Sequence, residues 1–115
     1  MAAVDPDWVK YFGAGSPVYC AKLNGEIASF CNAEVWTNCL LSNGKNTIGA
    51  PGCVGTVPRF RRKGIGLKMV AMACEELKKQ GCDTCFIHYT GVGRWYATLG
   101  IQTFLTWYFC KKRLV

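Results

Sequence analysis

The sequence predicts an α/β chain built on a mixed sheet: an antiparallel hairpin, then a strand–helix–strand unit, a short helix and a final strand. Three observations carry this. Asn24-Gly25 separates two β-rich apolar runs, Val18–Leu23 and Glu26–Cys31, and a two-residue turn of that type tolerates the positive φ that a tight hairpin needs. From Gly64 to Gln80, residues Met69, Val70, Ala73, Cys74 and Leu77 recur at helical spacing. Thr84-Cys85-Phe86-Ile87-His88-Tyr89 then reads as a buried strand. Residues 53 to 89 therefore form a strand, a helix and a strand, a unit whose two strands run parallel.

The remaining elements follow in order. Asp5 is suited to cap a short helix over residues 5 to 11, with Pro6 in a first turn where its missing N–H costs nothing. Gly13 to Pro17 ends that helix. The second hairpin strand runs on toward Trp36, and Thr37 to Asn46 reads as a loop. Thr47 to Val57 is a third strand, interrupted by Gly49, Pro51, Gly52 and Gly55; such breaks mark bulges or places where another group approaches the backbone. Lys78 and Lys79 suit the last turn of the long helix, and Gly81 its stop. Thr90 is placed to cap a short helix carrying Val92, Trp95, Tyr96 and Leu99, and Gly100 ends it. Ile101 to Cys110 reads as a long aromatic strand.

With 115 residues, half of them hydrophobic, the chain has the size of a single domain, 1–115, with one core. No apolar run approaches the roughly 20 residues of a membrane helix, and the acidic N-terminus does not read as an export signal. A cytoplasmic location is the expectation. Eight cysteines could make a disulfide scaffold, but they fall inside strand and helix patterns, where thiols behave as small apolar groups. Cys82-Asp83-Thr84-Cys85 has no second pair to make a zinc ribbon, so both thiols are expected in the core and no metal site is expected. The formal charge of +7 fits an anionic ligand. It also fits nucleic acid, the less favoured reading.

The chemistry gathers at Gly55-Thr56-Val57-Pro58-Arg59-Phe60-Arg61-Arg62-Lys63-Gly64-Ile65-Gly66-Leu67. An apolar strand runs into a basic, glycine-containing turn that opens a helix. A helix N-terminus presents unpaired backbone N–H groups at the positive end of its dipole, and Arg61, Arg62 and Lys63 add charge beside it. That is an anion site, most simply for phosphate.

These residues carry a family likeness. Arg61-Arg62-Lys63-Gly64-Ile65-Gly66 resembles the Q/R-x-x-G-x-G/A signature of the GNAT superfamily of N-acetyltransferases, Val57-Pro58-Arg59-Phe60-Arg61 resembles the motif before it, and Trp95-Tyr96-Ala97-Thr98-Leu99-Gly100-Ile101 resembles the family's Tyr and Leu-Gly-Phe segment. The likeness covers residues 17 to 110. It implies a GNAT-like fold whose first strand and helices are missing ahead of the hairpin, and acetyl-CoA-dependent transfer of acetyl to a primary amine. It implies that backbone groups of Arg61, Arg62, Lys63, Gly64, Ile65, Gly66 and Leu67 hold the pyrophosphate, and that the pantetheine arm pairs along Gly55 and Val57. Tyr89 stands where the family often has an Asn that touches CoA, and Tyr96 matches the tyrosine acid. Glu34 is the carboxylate best placed as base, while His88, Cys53 and Cys85 are expected to be packed; a contact from Arg59 to the 3′-phosphate is the less favoured reading of that residue. The alternative is a CoA-binding or regulatory module lacking its own acceptor site, completed by a homodimer partner or another domain along the exposed edge at Val18–Leu23.

Overall fold

The computed structural model describes residues 4–12, 15, 17–37, 43–88 and 90–114. Strands β1 (Val18–Leu23) and β2 (Glu26–Trp36) form the expected hairpin, its turn closed by Asn24 at φ 52° and Gly25 at φ 81°. β3 (Ile48–Thr56) pairs antiparallel with β2. After a single 3-10 turn, Pro58–Phe60, the long helix α1 (Ile65–Lys79) crosses back to β4 (Thr84–Cys85), which runs parallel to β3. The short helix α2 (Gly93–Ala97) follows. The sheet order is β1-β2-β3-β4, leaving β1 as an outer edge. The expected loop at 37–46 lies partly outside the described residues, as do three residues of the 13–17 segment.

α1 lies across one face of β1, β2 and β3. Met69, Val70 and Ala73 meet Cys31 and Tyr96 in the main core, and Leu77 meets Ala33 and Cys82 in a second patch. Alternation along β2 turns Phe30 to the opposite face. There Trp8 and Phe12 pack edge-on against its ring, at centroid separations of 6.5 and 5.4 Å. Trp8 belongs to a 3-10 helix, Pro6–Tyr11, which Asp5 caps by accepting the Asp7 N–H at 2.9 Å. This is the predicted first helix, wound more tightly.

β3 carries the irregularity that its glycines and proline announce. Phe30 pairs with Gly55 and Asn32 with Gly52, so two residues of β3, Cys53 and Val54, face the single residue Cys31 of β2. That is a β-bulge, and Cys53 takes a left-handed φ of 48° within it. The glycines also make room for the protein's own side chains. A Cβ at Gly49 would lie 2.9 Å from Leu77 Cδ1, and one at Gly55 would lie 2.7 Å from the Phe30 ring.

Four expectations are corrected. The strand expected over 84–89 pairs with β3 only at Thr84 and Cys85, with one further bond from the Phe86 N–H to the Gly49 carbonyl at 2.9 Å. The parallel ladder next requires residue 51 to donate to Phe86, and Pro51 has no N–H. The second correction follows from the first. Ile101–Cys110 forms no described strand, because β4 offers it no long edge; Trp107 and Tyr108 stay 62% and 88% exposed. Third, α2 begins at Gly93 behind Val92, and Thr90 Oγ1 instead accepts the Val92 N–H at 3.0 Å, ahead of the helix. Fourth, of the two thiols expected in the core only Cys82 is buried, while Cys85 is exposed at the end of β4.

Replacing Pro51 by valine supplies the missing donor at nearly constant volume. The new amide is expected to exchange with solvent at least about tenfold more slowly than an unstructured amide, as a ladder member does. Free exchange at that amide would mean that something other than the missing N–H ends the ladder.

Candidate active site

The basic turn between β3 and α1 is built from two left-handed residues, Arg62 at φ 63° and Gly64 at φ 73°. Gly64 is the N-cap of α1 and no side chain caps that end. The first described backbone bond there is Lys68 N–H to the Gly64 carbonyl at 3.1 Å. The N–H groups of Ile65, Gly66 and Leu67 therefore point out of the helix end, where the dipole favours an anion.

The two glycines serve different needs. A Cβ at Gly64 would meet nothing, so that position is held by its backbone angle. A Cβ at Gly66 would lie 2.6 Å from Thr56 Oγ1 and 3.5 Å from the Trp95 ring, so that position is held by close approach of α1 to β3. Thr56 is fixed in turn by Ser29, whose hydroxyl lies 3.1 Å from it and donates to the Gly55 carbonyl at 2.8 Å. Arg61 Nε donates to the Thr56 carbonyl at 3.0 Å, tying the basic turn to the end of β3. Arg59 forms an ion pair with Glu26 at 2.8 Å, and the side chains of Arg59 and Lys63 lie over the Phe60 ring.

These elements enclose a groove of about 500 Å³ that includes Gly55, Arg61, Arg62, Gly64, Ile65, Gly66 and Leu67. Sequence reasoning missed Trp8 and Val92, which also line it. Trp8 carries no local signal, since only the tertiary fold brings the first segment here. Val57 is turned inward: its N–H donates to the Ala28 carbonyl and its own carbonyl accepts the Phe60 N–H, both at 2.8 Å. The irregular backbone of β3 lies upstream, at Cys53 and Val54. Tyr89 lies outside the described residues.

A second cavity, about 610 Å³, is lined by Trp36, Phe86, His88 and residues of the 101–109 segment. Tyr96 borders both cavities. Its side chain is buried against Trp95, with ring centroids 4.9 Å apart. Burial, with smaller contributions from the Cys31, Cys85 and Cys74 thiols, pushes its phenol up to about 12. His88 is exposed beside Phe86, at a ring separation of 6.0 Å, which corrects the expectation that it is packed. Glu34 lines neither cavity, but its carboxylate accepts the Trp36 Nε1–H at 2.8 Å, and Trp36 lines the second. Cys53 is half-buried in the bulge, and burial raises its thiol. Among the described residues no group of three or more His, Cys, Asp or Glu is arranged to hold a metal ion.

A model of the acetyltransferase (GNAT) family matches residues 2–101. The chain belongs to the acetyltransferase (GNAT) family. A comparison with curated proteins finds no match. Among solved structures, a transcriptional regulator from Bacillus halodurans superposes with a TM-score of 0.73 at 20% identity, over 97% of this chain and 79% of that one. The aminoglycoside acetyltransferase AAC(6')-Iy, solved with a bisubstrate analogue, gives 0.70 at 16% identity over 95% and 78% of the two chains. A protein from Clostridium acetobutylicum described as a predicted acetyltransferase, solved with acetyl-CoA, gives 0.70 at 19% identity over 93% and 74%. At these identities the likeness is one of fold. The family supplies the class of reaction, acetyl transfer from acetyl-CoA, and no helix among the described residues is long and apolar enough to cross a membrane.

The two glycines of this GNAT turn are separable by mutation. Gly66→Ala is expected to cost about 1–3 kcal/mol of stability through overpacking, and Thr56→Ala in the same chain to restore most of it. Gly64→Ala costs about 1 kcal/mol through its backbone angle, with no rescue by Thr56→Ala. Urea melts of the four variants check this; equal rescue of both glycines would refute the division of labour.

Proposed function

We propose that this chain is an N-acetyltransferase that binds acetyl-CoA in the groove between β3 and α1 and a primary amine in the cavity beyond Tyr96. The observation that carries the reading is that Tyr96 borders both cavities. A donor whose pyrophosphate rests on the N-terminus of α1 and whose arm follows the bulged part of β3 brings its thioester toward that tyrosine. The second cavity is formed by the chain's own residues, which favours an enzyme over a CoA-binding module completed elsewhere. Its walls include Trp36, Phe86, Phe104 and Trp107, so an amine on an apolar or aromatic body suits it best.

The chemistry follows from what these groups can exchange. The amine attacks the thioester carbonyl only as the free base. His88 lines the acceptor cavity and Glu34 does not, so His88 takes the amine's proton and Glu34 holds Trp36 in place. This reading replaces the assignment of Glu34 as base. The tetrahedral adduct collapses with loss of the CoA thiolate. Tyr96, whose phenol is pushed up to about 12, keeps its proton at all working pH values and offers it to the departing sulfur. Full transfer from such a phenol to an ordinary thiolate runs uphill, so its contribution is a hydrogen bond that strengthens as negative charge develops.

The remaining assignments extend the same reading. A cytoplasmic setting suits a chain whose described cysteines are all free thiols. The open edge of β1 is where a second copy or a completing domain would pair.

With acetyl-CoA and an aromatic primary amine, Tyr96→Phe is expected to lower kcat by about 10- to 100-fold with little change in the KM for acetyl-CoA. His88→Ala is expected to lower kcat/KM for the amine while leaving acetyl-CoA binding intact, and Glu34→Gln to do less than either. The pH profile of kcat/KM rises as the amine deprotonates and shows no falling limb from Tyr96 until pH nears about 12. Acetyl-CoA binding with no transfer to any of a panel of aliphatic and aromatic amines would favour the binding-module reading.

A further inference from the structure

Cys74 on α1, which lines neither substrate cavity, and Cys85 at the end of β4, which also borders the acceptor cavity, place their sulfurs 3.6 Å apart. Both thiols line one open cavity of about 470 Å³, walled also by Glu75, Leu99 and Gly100. Cys85 is exposed and Cys74 half-buried, so a small solute reaches the pair. We propose that Cys74 and Cys85 are a peroxide-oxidisable dithiol, a modification site that closes to a disulfide and ties α1 to β4.

Among the described cysteines, Cys82 and Cys31 are poorer candidates for this chemistry. Cys82, the other half of the C-x-x-C sequence, is buried with Ala33 and Leu77 in the second core patch. Cys31 is fully buried beneath α1, and burial pushes its thiol up to about 12, so it is a poor nucleophile. The hydrogen bond from Cys85 S–H instead holds the Cys74 thiol below its usual range, against the opposing effects of burial and the Glu75 carboxylate. Within the pair Cys74 is thus the thiol favoured as thiolate, and the thiolate is the form that oxidants attack.

The step balances with one hydrogen peroxide. The Cys74 thiolate attacks a peroxide oxygen, the O–O bond breaks, and sulfenic acid forms while hydroxide takes up a proton and leaves as water. Cys85 sulfur, losing its proton, then attacks Cys74 sulfur. The S–O bond breaks, a second water leaves and the S–S bond forms. Two thiols are oxidised by two electrons, and the peroxide is reduced to two waters. The sulfurs close from 3.6 Å to about 2.05 Å, a movement that a side-chain rotation in an open cavity permits.

The test exposes the 115-residue chain at neutral pH to a small molar excess of hydrogen peroxide. Remaining thiols are then alkylated, and the protein is digested with trypsin without reduction and examined by mass spectrometry. The expected product lacks two hydrogen atoms, links the peptide Met69–Lys78 to the peptide Gln80–Arg94 through Cys85, and is reversed by dithiothreitol. Cys82→Ser leaves the link in place, and Cys74→Ser or Cys85→Ser abolishes it. If a serine variant fails to fold, fragmentation of the wild-type linked peptide still distinguishes Cys85 from Cys82. A link through Cys82 or Cys31, a link between two chains in place of this one, or full alkylation of Cys74 after peroxide treatment would overturn the proposal.

Discussion

The structure turns on the point where β3 stops pairing with β4. A parallel ladder that continued past Gly49 would close the sheet and leave no cleft. Pro51 removes the donor that the ladder needs next, and the bulge at Cys53 and Val54 follows two residues later. The rest of the site is arranged around that opening. α1 starts beside the end of β3, where Thr56 and Gly66 are in close approach, and Tyr96 stands buried between the groove on one side and the aromatic cavity on the other.

The opening is stabilised by its surroundings rather than by its own pairing. Val70, Ala73 and Leu77 fix α1 to the hairpin and β3 with almost no exposed surface. The Ser29–Thr56 hydroxyl pair and the Arg61 bond to the Thr56 carbonyl lock the junction where α1 begins. Trp8 and Phe12 cover the far face at Phe30. A rigid frame of this kind holds backbone N–H groups ready for an anion before it arrives, which is what lets fixed dipoles act without reorganising. The basic side chains beside that turn are exposed, so they raise the local concentration of an anionic ligand more than they tighten its final contacts.

Much of this was legible in the sequence, for reasons that are local. Asn24-Gly25 names its turn because few residues tolerate two positive φ angles in succession. α1 is legible because an apolar stripe at helical spacing has few other uses, and the turn before it because Gly64 and Gly66 stand just ahead of that stripe. What failed was non-local. The strand expected at 84–89 shortens because of Pro51, more than thirty positions away, and the aromatic segment 101–110 then has no edge to join. Thr90 keeps a hydrogen bond but not the cap position. Trp8 reaches the groove only through the tertiary fold, and His88 looked packed because a strand was expected around it.

The central claim is that the N-terminus of α1 holds the pyrophosphate of CoA. The most direct measurement follows backbone amide chemical shifts as CoA is titrated into the isotopically labelled protein. The account predicts saturable shifts, largest at Ile65, Gly66 and Leu67, as their N–H groups take up charged acceptors. Shifts confined to Lys111, Lys112 and Arg113, or spread evenly over the basic surface without saturation, would contradict it.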